Sequence, residues 1–250
     1  PLTALVPGEA VAETMCATGG LSVVVESASG SLVIVDRIAR EAIGRVEGLG
    51  DLSHASVKFS PDERYAYVFG RDGGLTKVDL LEEAVVAREM QSGNAIGGAI
   101  SDDGSLVAVA NYEPGGVRVF DADTLEMRAD IPTAAKVVGL VDIPGNRFVF
   151  SLWDAGEIWI ADFSGGAEPQ ITVLADVGAN PYDALITEDG RHYIAGLFGE
   201  DGLVLVDLWE EEPRARRILA GYGRGEEPLP VYKMPHLEGW AEAGGRFALP

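Results

Sequence analysis

An internal repeat of a little over forty residues constrains the fold of this chain more than any other feature. Five segments share one pattern, in which two short apolar runs are joined by a turn and followed by an aspartate. They are LSVVVESASGSLVIVD, RYAYVFGRDGGLTKVD, SLVAVANYEPGGVRVFD, RFVFSLWDAGEIWIAD and HYIAGLFGEDGLVLVD, which end at Asp36, Asp79, Asp121, Asp162 and Asp207. The separations between these aspartates are 43, 42, 41 and 45 residues. The chain therefore repeats one structural unit.

Each repeat has the pattern of four β-strands. The paired runs are rich in β-branched and aromatic residues, and their turns contain Gly, Asp, Asn or Pro, as hairpins require. Another apolar run precedes each pair, and a short run such as VVAREM or ITVLAD follows it. A period near forty with four strands is typical of a β-propeller blade. We therefore predict an all-β protein, a β-propeller of four-stranded blades, with about five to six blades in this chain.

The ends of the chain define the expected domain boundaries. Residues 1–16 predict a disordered or irregular lead-in, and residues 17–250 predict the propeller domain. GWAEAGGRFALP at residues 239–250 resembles the first strand and the start of the second strand of a sixth unit, so the propeller is expected to be incomplete at its C-terminus. Two alternatives stay open: the two termini complete one blade together, or the chain is part of a longer protein. No signal peptide is visible.

Composition excludes several classes of function. Acidic residues outnumber basic ones by 40 to 19, so a net charge of −21 would repel nucleic acid. No apolar run approaches the roughly 18 residues of a transmembrane segment. A single cysteine, Cys16, excludes an internal disulfide framework. GYGRGEE at residues 221–227 lacks the GxGxxG spacing, and HExxH and GxSxG are absent, so the sequence predicts no bound nucleotide and no hydrolase site.

Strand alternation predicts which loops meet at one mouth of the propeller channel. The loop that enters the first strand and the loop that joins the second and third strands lie on the same face. The turn between the first and second strands is placed at Ser60, Ser101, Asp142, Thr187 and Glu242 in successive repeats. The residues six positions before these turns are His54, Ala95, Lys136, Pro181 and His236. Two histidines thus share one repeat position. Loops on a rigid scaffold carry function, and the other candidates at this mouth are Arg71, Asn111, Tyr112, Trp153, Tyr182 and Asp183.

Structural alternatives to a binding role stay open for these residues. A histidine at a strand end is commonly a structural hydrogen-bonding group. Arg71 could instead pair with Asp72 inside its own turn, which at an exposed site contributes at most about 1 kcal/mol. Trp153 and Phe198 are also compatible with ordinary packing within the blades. The turn carboxylates of Asp154, Glu200 and Asp201 are compatible with plain solvation.

The chain resembles a known family over about residues 21–250. DLSHASVKFSPDERYAYVFGRDGGLTKVDL, AISDDGSLVAVANYEPGGVRVFD, KVVGLVDIPGNRFVFSLWDAGEIWIADF, PYDALITEDGRHYIAGLFGEDG and LPVYKMPHLEGW occur in the order and spacing of the haem d1 biosynthesis proteins. HASVKFSPDERYAYVFGRDG is also similar to the d1-haem propeller of cytochrome cd1 nitrite reductase. The resemblance implies an eight-bladed propeller of the bacterial periplasm.

The same resemblance implies a ligand and roles for several residues. The ligand would be haem d1 or dihydro-haem d1, an iron tetrapyrrole, bound late in haem d1 biosynthesis for dissimilatory nitrite reductase and denitrification. His54 would ligate the iron, and His236 with Asp183 would lie on the reactive side. Donors for the tetrapyrrole carboxylates would be Arg71, Asn111, Tyr112 and Lys136, and Trp153 and Tyr182 would cover the macrocycle.

The resemblance leaves the type of activity open. The chain could catalyse a side-chain modification as a tetrapyrrole-modifying oxidoreductase, or carry the pigment to the reductase. A non-catalytic protein-interaction propeller is the alternative from a different class. Expected partners are nitrite reductase and other haem d1 assembly proteins, and Cys16 falls where some family members carry a lipid anchor.

Overall fold

The computed structural model describes residues 18–166, 168–223 and 241–248, which form five sheets and a hairpin. The first sheet contains β1 (Leu21–Glu26), β2 (Ser31–Asp36) and β3 (Glu41–Val46). The second contains β4 (Ser56–Phe59), β5 (Tyr65–Phe69), β6 (Gly74–Asp79) and β7 (Ala84–Met90). The third contains β8 (Ala95–Ile100), β9 (Leu106–Asn111), β10 (Val117–Asp121) and β11 (Met127–Ile131). The fourth contains β12 (Val137–Ile143), β13 (Arg147–Leu152), β14 (Glu157–Asp162) and β15 (Gln170–Leu174). The fifth contains β16 (Pro181–Ile186), β17 (His192–Leu197), β18 (Leu203–Asp207) and β19 (Ala215–Ile218), and the hairpin contains β20 (Ala241–Ala243) and β21 (Arg246–Ala248).

Each sheet is an antiparallel meander in sequence order, as a propeller blade requires. The five hairpins predicted from the repeat are β1–β2, β5–β6, β9–β10, β13–β14 and β17–β18. The described residues contain no helix, and four of the five sheets have four strands while the first has three, so the predicted all-β propeller is confirmed. The hairpin β20–β21 falls where the sequence predicts the start of a sixth unit. We number the five sheets blades 1 to 5.

Apolar layers lie between successive blades. Ile34 of blade 1 packs in one layer with Val68 of blade 2, and Phe69 of blade 2 packs in the next with Val109 of blade 3. Corresponding layers join blade 3 to blade 4 and blade 4 to blade 5. Both faces of a central blade are thus covered, which explains the continuous apolar runs of its inner strands.

The repeated aspartates hold the turn between the third and fourth strands of each blade. In blade 2, Asp79 Oδ1 accepts the amides of Leu81 and Glu82 at 2.9 and 3.1 Å, while Oδ2 accepts Arg64 Nε at 2.9 Å. Asp121 and Asp207 likewise combine turn amides with an arginine, Arg128 and Arg191 respectively. The 41- to 45-residue spacing in the sequence therefore reflects one hydrogen-bonded turn per blade.

In three blades, the turn between the first and second strands lies at the residue expected from the alignment of the repeats. Ser60 accepts the amide of Tyr65 at 3.0 Å and donates to Asp62, and Ser101 and Thr187 make the corresponding bonds. The alignment is wrong at Asp142 and Glu242. Asp142 lies inside β12 opposite Phe148, and Glu242 lies inside β20 opposite Phe247, because both hairpins close through shorter turns.

No helix in the described ranges is long and apolar enough to span a membrane. The expected lead-in at residues 1–16, including Cys16, lies outside the described residues, and so does His236.

Candidate functional site

A repeated backbone hydrogen bond brings the predicted mouth residues onto one face. In four blades the turn between the second and third strands donates an amide to a carbonyl in the loop that enters the same blade. The donor and acceptor pairs are Arg71 and Asp51 at 2.7 Å, Tyr112 and Asn94 at 3.0 Å, Trp153 and Lys136 at 2.9 Å, and Phe198 and Asn180 at 2.9 Å. We call Arg71, Tyr112, Trp153 and Phe198 the mouth row, because they occupy equivalent positions of successive blades.

Members of the mouth row contact one another across the blade boundaries. The Arg71 guanidinium lies over the Tyr112 ring, with 5.1 Å between Cζ and the ring centroid. The rings of Trp153 and Phe198 are 4.6 Å apart between centroids. Cation–π and tilted aromatic contacts of this kind each contribute about 0.5–1.5 kcal/mol. The row thus contains two contacting pairs, Arg71 with Tyr112 and Trp153 with Phe198.

Tyr182, at the start of β16, joins these two pairs. Its hydroxyl is 3.1 Å from the Tyr112 hydroxyl. Its ring makes edge contacts with Trp153 at 4.9 Å and with Phe198 at 5.7 Å between centroids. Five of the side chains at the mouth therefore form one cluster that runs from blade 2 to blade 5.

Arg71 forms no ion pair inside the described ranges, although its charge adds to the Ser53 hydrogen bonds that lower the pKa of Asp51. Its Nη1 atom is buried and has no hydrogen bond there. The pairing of Arg71 with Asp72 that the sequence left open is wrong, because Asp72 Oδ2 accepts Arg88 Nη2 at 2.9 Å. A buried donor without an acceptor is costly, so this guanidinium is suited to an acidic ligand.

A cavity of about 250 Å³ lies beneath the mouth, between the inner strands of blades 2 to 5. From β4 and the loop before it, His54, Ser56 and Lys58 line the cavity as alternate residues of one strand face. The remaining lining comes from β8, β9, β12 and β16 and includes Gly97, Gly98, Gly139, Tyr182 and Asp183. His54 is exposed and therefore accessible from the mouth.

Asp183 reaches the cavity through a β-bulge. Tyr182 pairs with Gly196 and Ala184 with Ala195, so Asp183 has no counterpart in β17. A bulge re-aims the side chain of the extra residue. The carboxylate acts on Tyr193 of the same blade: burial raises the pKa of Tyr193, and the negative charge of Asp183 raises that pKa further.

Tyr193 and Gly139 fix the wall next to Asp183. The Tyr193 hydroxyl donates to the Gly139 carbonyl at 2.9 Å and lies 2.9 Å from Ser151 Oγ. Gly139 has a φ of +59°, and a Cβ there would stand 3.0 Å from the Tyr193 hydroxyl and 3.1 Å from the Ala184 Cβ. Only glycine fits this position without strain.

Comparison with known proteins places the whole repeat region in one family. The sequence profile of the cytochrome D1 heme domain matches residues 16–249. The chain belongs to the cytochrome d1 haem domain family. Two curated relatives named Protein NirF, from Stutzerimonas stutzeri and Pseudomonas aeruginosa, are 62% and 61% identical over 241 residues. These matches cover 93% of this chain, which spans 62% of the length of either relative.

A solved structure of the same family supports the fold. The dihydro-heme d1 dehydrogenase NirN, in complex with DHE, superposes with a TM-score of 0.76 at 30% sequence identity. That match covers 91% of this chain and 48% of NirN. The cytochrome d1 assignment agrees with the resemblance that the sequence segments carry.

Two predicted site residues of this cytochrome d1 family chain are used within the scaffold. Asn111 is buried and forms reciprocal amide hydrogen bonds with Gln91 at 2.9 and 3.1 Å, so its side chain holds a turn and does not face the cavity. Lys136 lies at the mouth, but its ammonium is 3.8 Å from Asp154. Asp154 also accepts the Lys136 amide at 3.3 Å, which makes this carboxylate part of the loop.

Sequence reasoning missed Ser56 and Lys58. Both residues belong to the first strand of blade 2 and follow His54 at intervals of two. Strand periodicity alone would have placed all three on one face. Within the described ranges, no three His, Cys, Asp or Glu side chains form a metal-binding group.

Proposed function

We propose that this chain binds an iron tetrapyrrole of the haem d1 type at the mouth of its propeller channel, in the last steps of haem d1 biosynthesis. The observation that carries the proposal is the unpartnered Arg71 guanidinium beside a wall of aromatic rings. In a protein of net charge −21, the half-buried Arg71 forms no ion pair within the described ranges, and its buried Nη1 donor has no hydrogen-bond acceptor there. A flat, apolar ligand with carboxylate groups satisfies both features at once.

The residues at the mouth fit the parts of such a ligand. Arg71 supplies a planar donor fork for a carboxylate. Tyr112, Tyr182, Trp153 and Phe198 supply apolar faces for a macrocycle. His54 is the exposed imidazole at the same mouth, and imidazole is a common axial ligand of haem iron.

The cavity size supports binding at the mouth. Pockets for drug-sized ligands are about 300–1,000 Å³, and the cavity below the mouth holds about 250 Å³. The macrocycle would therefore lie across the entrance, with smaller groups directed inward. When bound, the iron and the conjugated ring supply the redox chemistry, and the chain supplies orientation and electrostatics.

Absorption spectroscopy tests this function. Titration of the purified protein with haem d1 is expected to give a saturable shift of the pigment bands. His54→Ala is expected to bind with an altered spectrum, because the axial imidazole is lost. His192→Ala is the matched control, since His192 lies at the opposite end of β17 near Asp207. Identical spectra for the wild type and His54→Ala would remove the iron-ligand assignment, and the absence of any shift in the wild type would remove the function.

A second role is favoured by the position of Asp183. Its carboxylate lines the cavity at a bulge, where it can accept a proton from a bound side chain. Asp183→Asn is expected to keep the bound spectrum and to lose any spectral change that an added electron acceptor induces in the wild type. The same change in both proteins would exclude Asp183 from proton transfer.

We also propose a periplasmic location and contact with nitrite reductase and other haem d1 assembly proteins. Both proposals rest on the resemblance of the sequence segments to the haem d1 biosynthesis proteins. Fractionation of cells that express the full-length gene tests the location, and transfer of bound haem d1 to nitrite reductase that lacks the pigment tests the contact. Recovery of the protein only from the cytoplasmic fraction, or no transfer, would contradict them.

A further inference from the structure

Two polar side chains inside the channel, Ser56 and Lys58, have no role in the ligand binding proposed above. Ser56 Oγ is buried and forms no hydrogen bond within the described residues. Lys58, two residues further along β4, forms no hydrogen bond or ion pair there, and its charge acts on the Asp142 carboxyl. Both line the 250 Å³ cavity. A hydroxyl and an ammonium on one face of one strand are therefore left as donors without acceptors.

The Ser56 hydroxyl and the Lys58 ammonium are spaced so that both can donate to one small acceptor. Alternate residues of a strand lie about 7 Å apart along the chain, and a lysine side chain is long and flexible enough to bring its ammonium near the Ser56 hydroxyl. His54 continues the same face towards the mouth. The three side chains thus form a line from the entrance into the channel.

The wall opposite Ser56 carries no side chain at one position. Gly97 of β8 lines the same cavity. A Cβ at Gly97 would stand 3.4 Å from Ser56 Oγ, so a larger residue there would crowd the hydroxyl. The space next to Ser56 is narrow and suits a carboxylate group better than a ring.

The charges around the cavity decide what this space can hold. Asp183 enters from β16, and Asp142 lies on β12, where burial raises the pKa of its carboxyl and the charge of Lys58 opposes that rise. Lys58 itself forms no ion pair within the described ranges. The Lys58 ammonium therefore retains donors for an incoming anion, on the β4 side of the channel.

We propose that Ser56 and Lys58 form a carboxylate subsite inside the channel, beneath the mouth. The proposal rests on the proposed function in one respect: the expected carboxylate is carried by a side chain of the macrocycle bound above. A free small carboxylate has the same chemistry, and the experiment separates these two sources.

Binding of paired ligands tests the subsite with the complete protein. Dissociation constants are measured by absorption for haem d1 and for its methyl ester, in the wild type and in Lys58→Met. The wild type is expected to prefer the acid. Loss of the subsite should reduce the ratio of ester to acid dissociation constants at least about tenfold, or about 1.4 kcal/mol. Lys58→Arg should restore part of this preference, and Ser56→Ala should reduce it by a smaller factor.

Arg214→Met is the control variant for the change of charge. Arg214 is exposed and pairs only with the exposed Glu212 within the described ranges. Its acid-to-ester preference is expected to equal that of the wild type. Near-ultraviolet circular dichroism of all variants checks that they are folded.

Isothermal titration calorimetry with acetate, in the absence of a macrocycle, tests whether the subsite binds a free small carboxylate. Binding in the wild type that is lost in Lys58→Met supports a subsite for free carboxylates. Unchanged acid-to-ester preference in Lys58→Met together with no acetate binding would overturn the subsite and indicate a channel filled by water. If the wild type binds no tetrapyrrole, the proposed function fails while the acetate titration still decides the subsite.

Discussion

The hydroxyl groups of Tyr112 and Tyr182 lie 3.1 Å apart, although these residues are 70 positions apart in the chain and belong to blades 3 and 5. Tyr112 lies in the turn after β9, and Tyr182 is the second residue of β16. Their contact crosses blade 4 at the mouth. It ties the cation end of the mouth row, at Arg71, to the aromatic end at Trp153.

Removal of either hydroxyl should weaken this link. Tyr112→Phe and Tyr182→Phe are each expected to lower the free energy of unfolding by about 0.5–1.5 kcal/mol, the usual net value of one hydrogen bond. The double variant should cost little more than one single variant, because both remove the same bond. Chemical denaturation of the four proteins measures this coupling. Tyr65→Phe is the control, and fully additive losses would show that the two hydroxyls do not interact.

The wall of the cavity should tolerate no side chain at residue 139. Gly139→Ala forces an L-residue into a φ of +59° and places a Cβ 3.0 Å from the Tyr193 hydroxyl. A left-handed conformation alone costs about 1–2 kcal/mol. Denaturant unfolding should therefore show a loss of at least this size. Gly165→Ala is the control, because no heavy atom lies within 4 Å of a Cβ at residue 165. Equal stability of the two variants would contradict the strain at Gly139.

The repeat made the fold predictable, but not every contact of the site. Equivalent aspartates predicted the blades, and the strand pattern predicted that Arg71, Tyr112 and Trp153 share a face. The contact between Tyr112 and Tyr182 depends on how far the blades rotate around the channel, and no local pattern encodes that angle. The bulge at Asp183 is equally invisible in the sequence, because one extra residue in a strand leaves the apolar alternation almost unchanged.

Asn111 shows a different limit of the sequence. An asparagine at the end of a strand near a predicted mouth has the donors that a ligand would use. Its amide instead pairs with Gln91, which lies at the entrance of the same blade. A buried amide takes the nearest partner that satisfies it, and the identity of that partner follows only from the three-dimensional register.

The paired aspartates should make stability depend on pH in the acid range. The Arg128 guanidinium, with turn amides, lowers the pKa of Asp121 to about 2. An unfolded aspartate has a pKa of about 3.9. The contribution of Asp121 is therefore complete above about pH 4 and is lost as the pH falls towards 2.

A variant isolates this contribution. Asp121→Asn should be less stable than the wild type at pH 7, and the difference should shrink between pH 4 and pH 2. Unfolding by denaturant across this range measures it. Asp162→Asn is the control, since Asp162 accepts the Ser164 amide but has no ion pair within the described residues. A difference that stays constant with pH would contradict the role of the Asp121 carboxylate.

Arg71 and Arg88 have different partners, and their substitution should separate ligand binding from stability. Arg88 donates to Asp72 and to Thr76, both at 2.9 Å, so Arg88→Met removes bonds of the folded chain and should lower the free energy of unfolding. Arg71 makes no ion pair within the described residues and contacts the Tyr112 ring, so Arg71→Met should lower that free energy by no more than about 0.5–1 kcal/mol. Hydrogen bonds to charged groups contribute about 1.5–3 kcal/mol, and Arg71→Met should therefore weaken haem d1 binding at least about tenfold.

Absorption titration and denaturant unfolding of both variants measure the affinity for haem d1 and the free energy of unfolding. Loss of stability without loss of affinity in Arg71→Met would show that this guanidinium serves the fold and not the ligand.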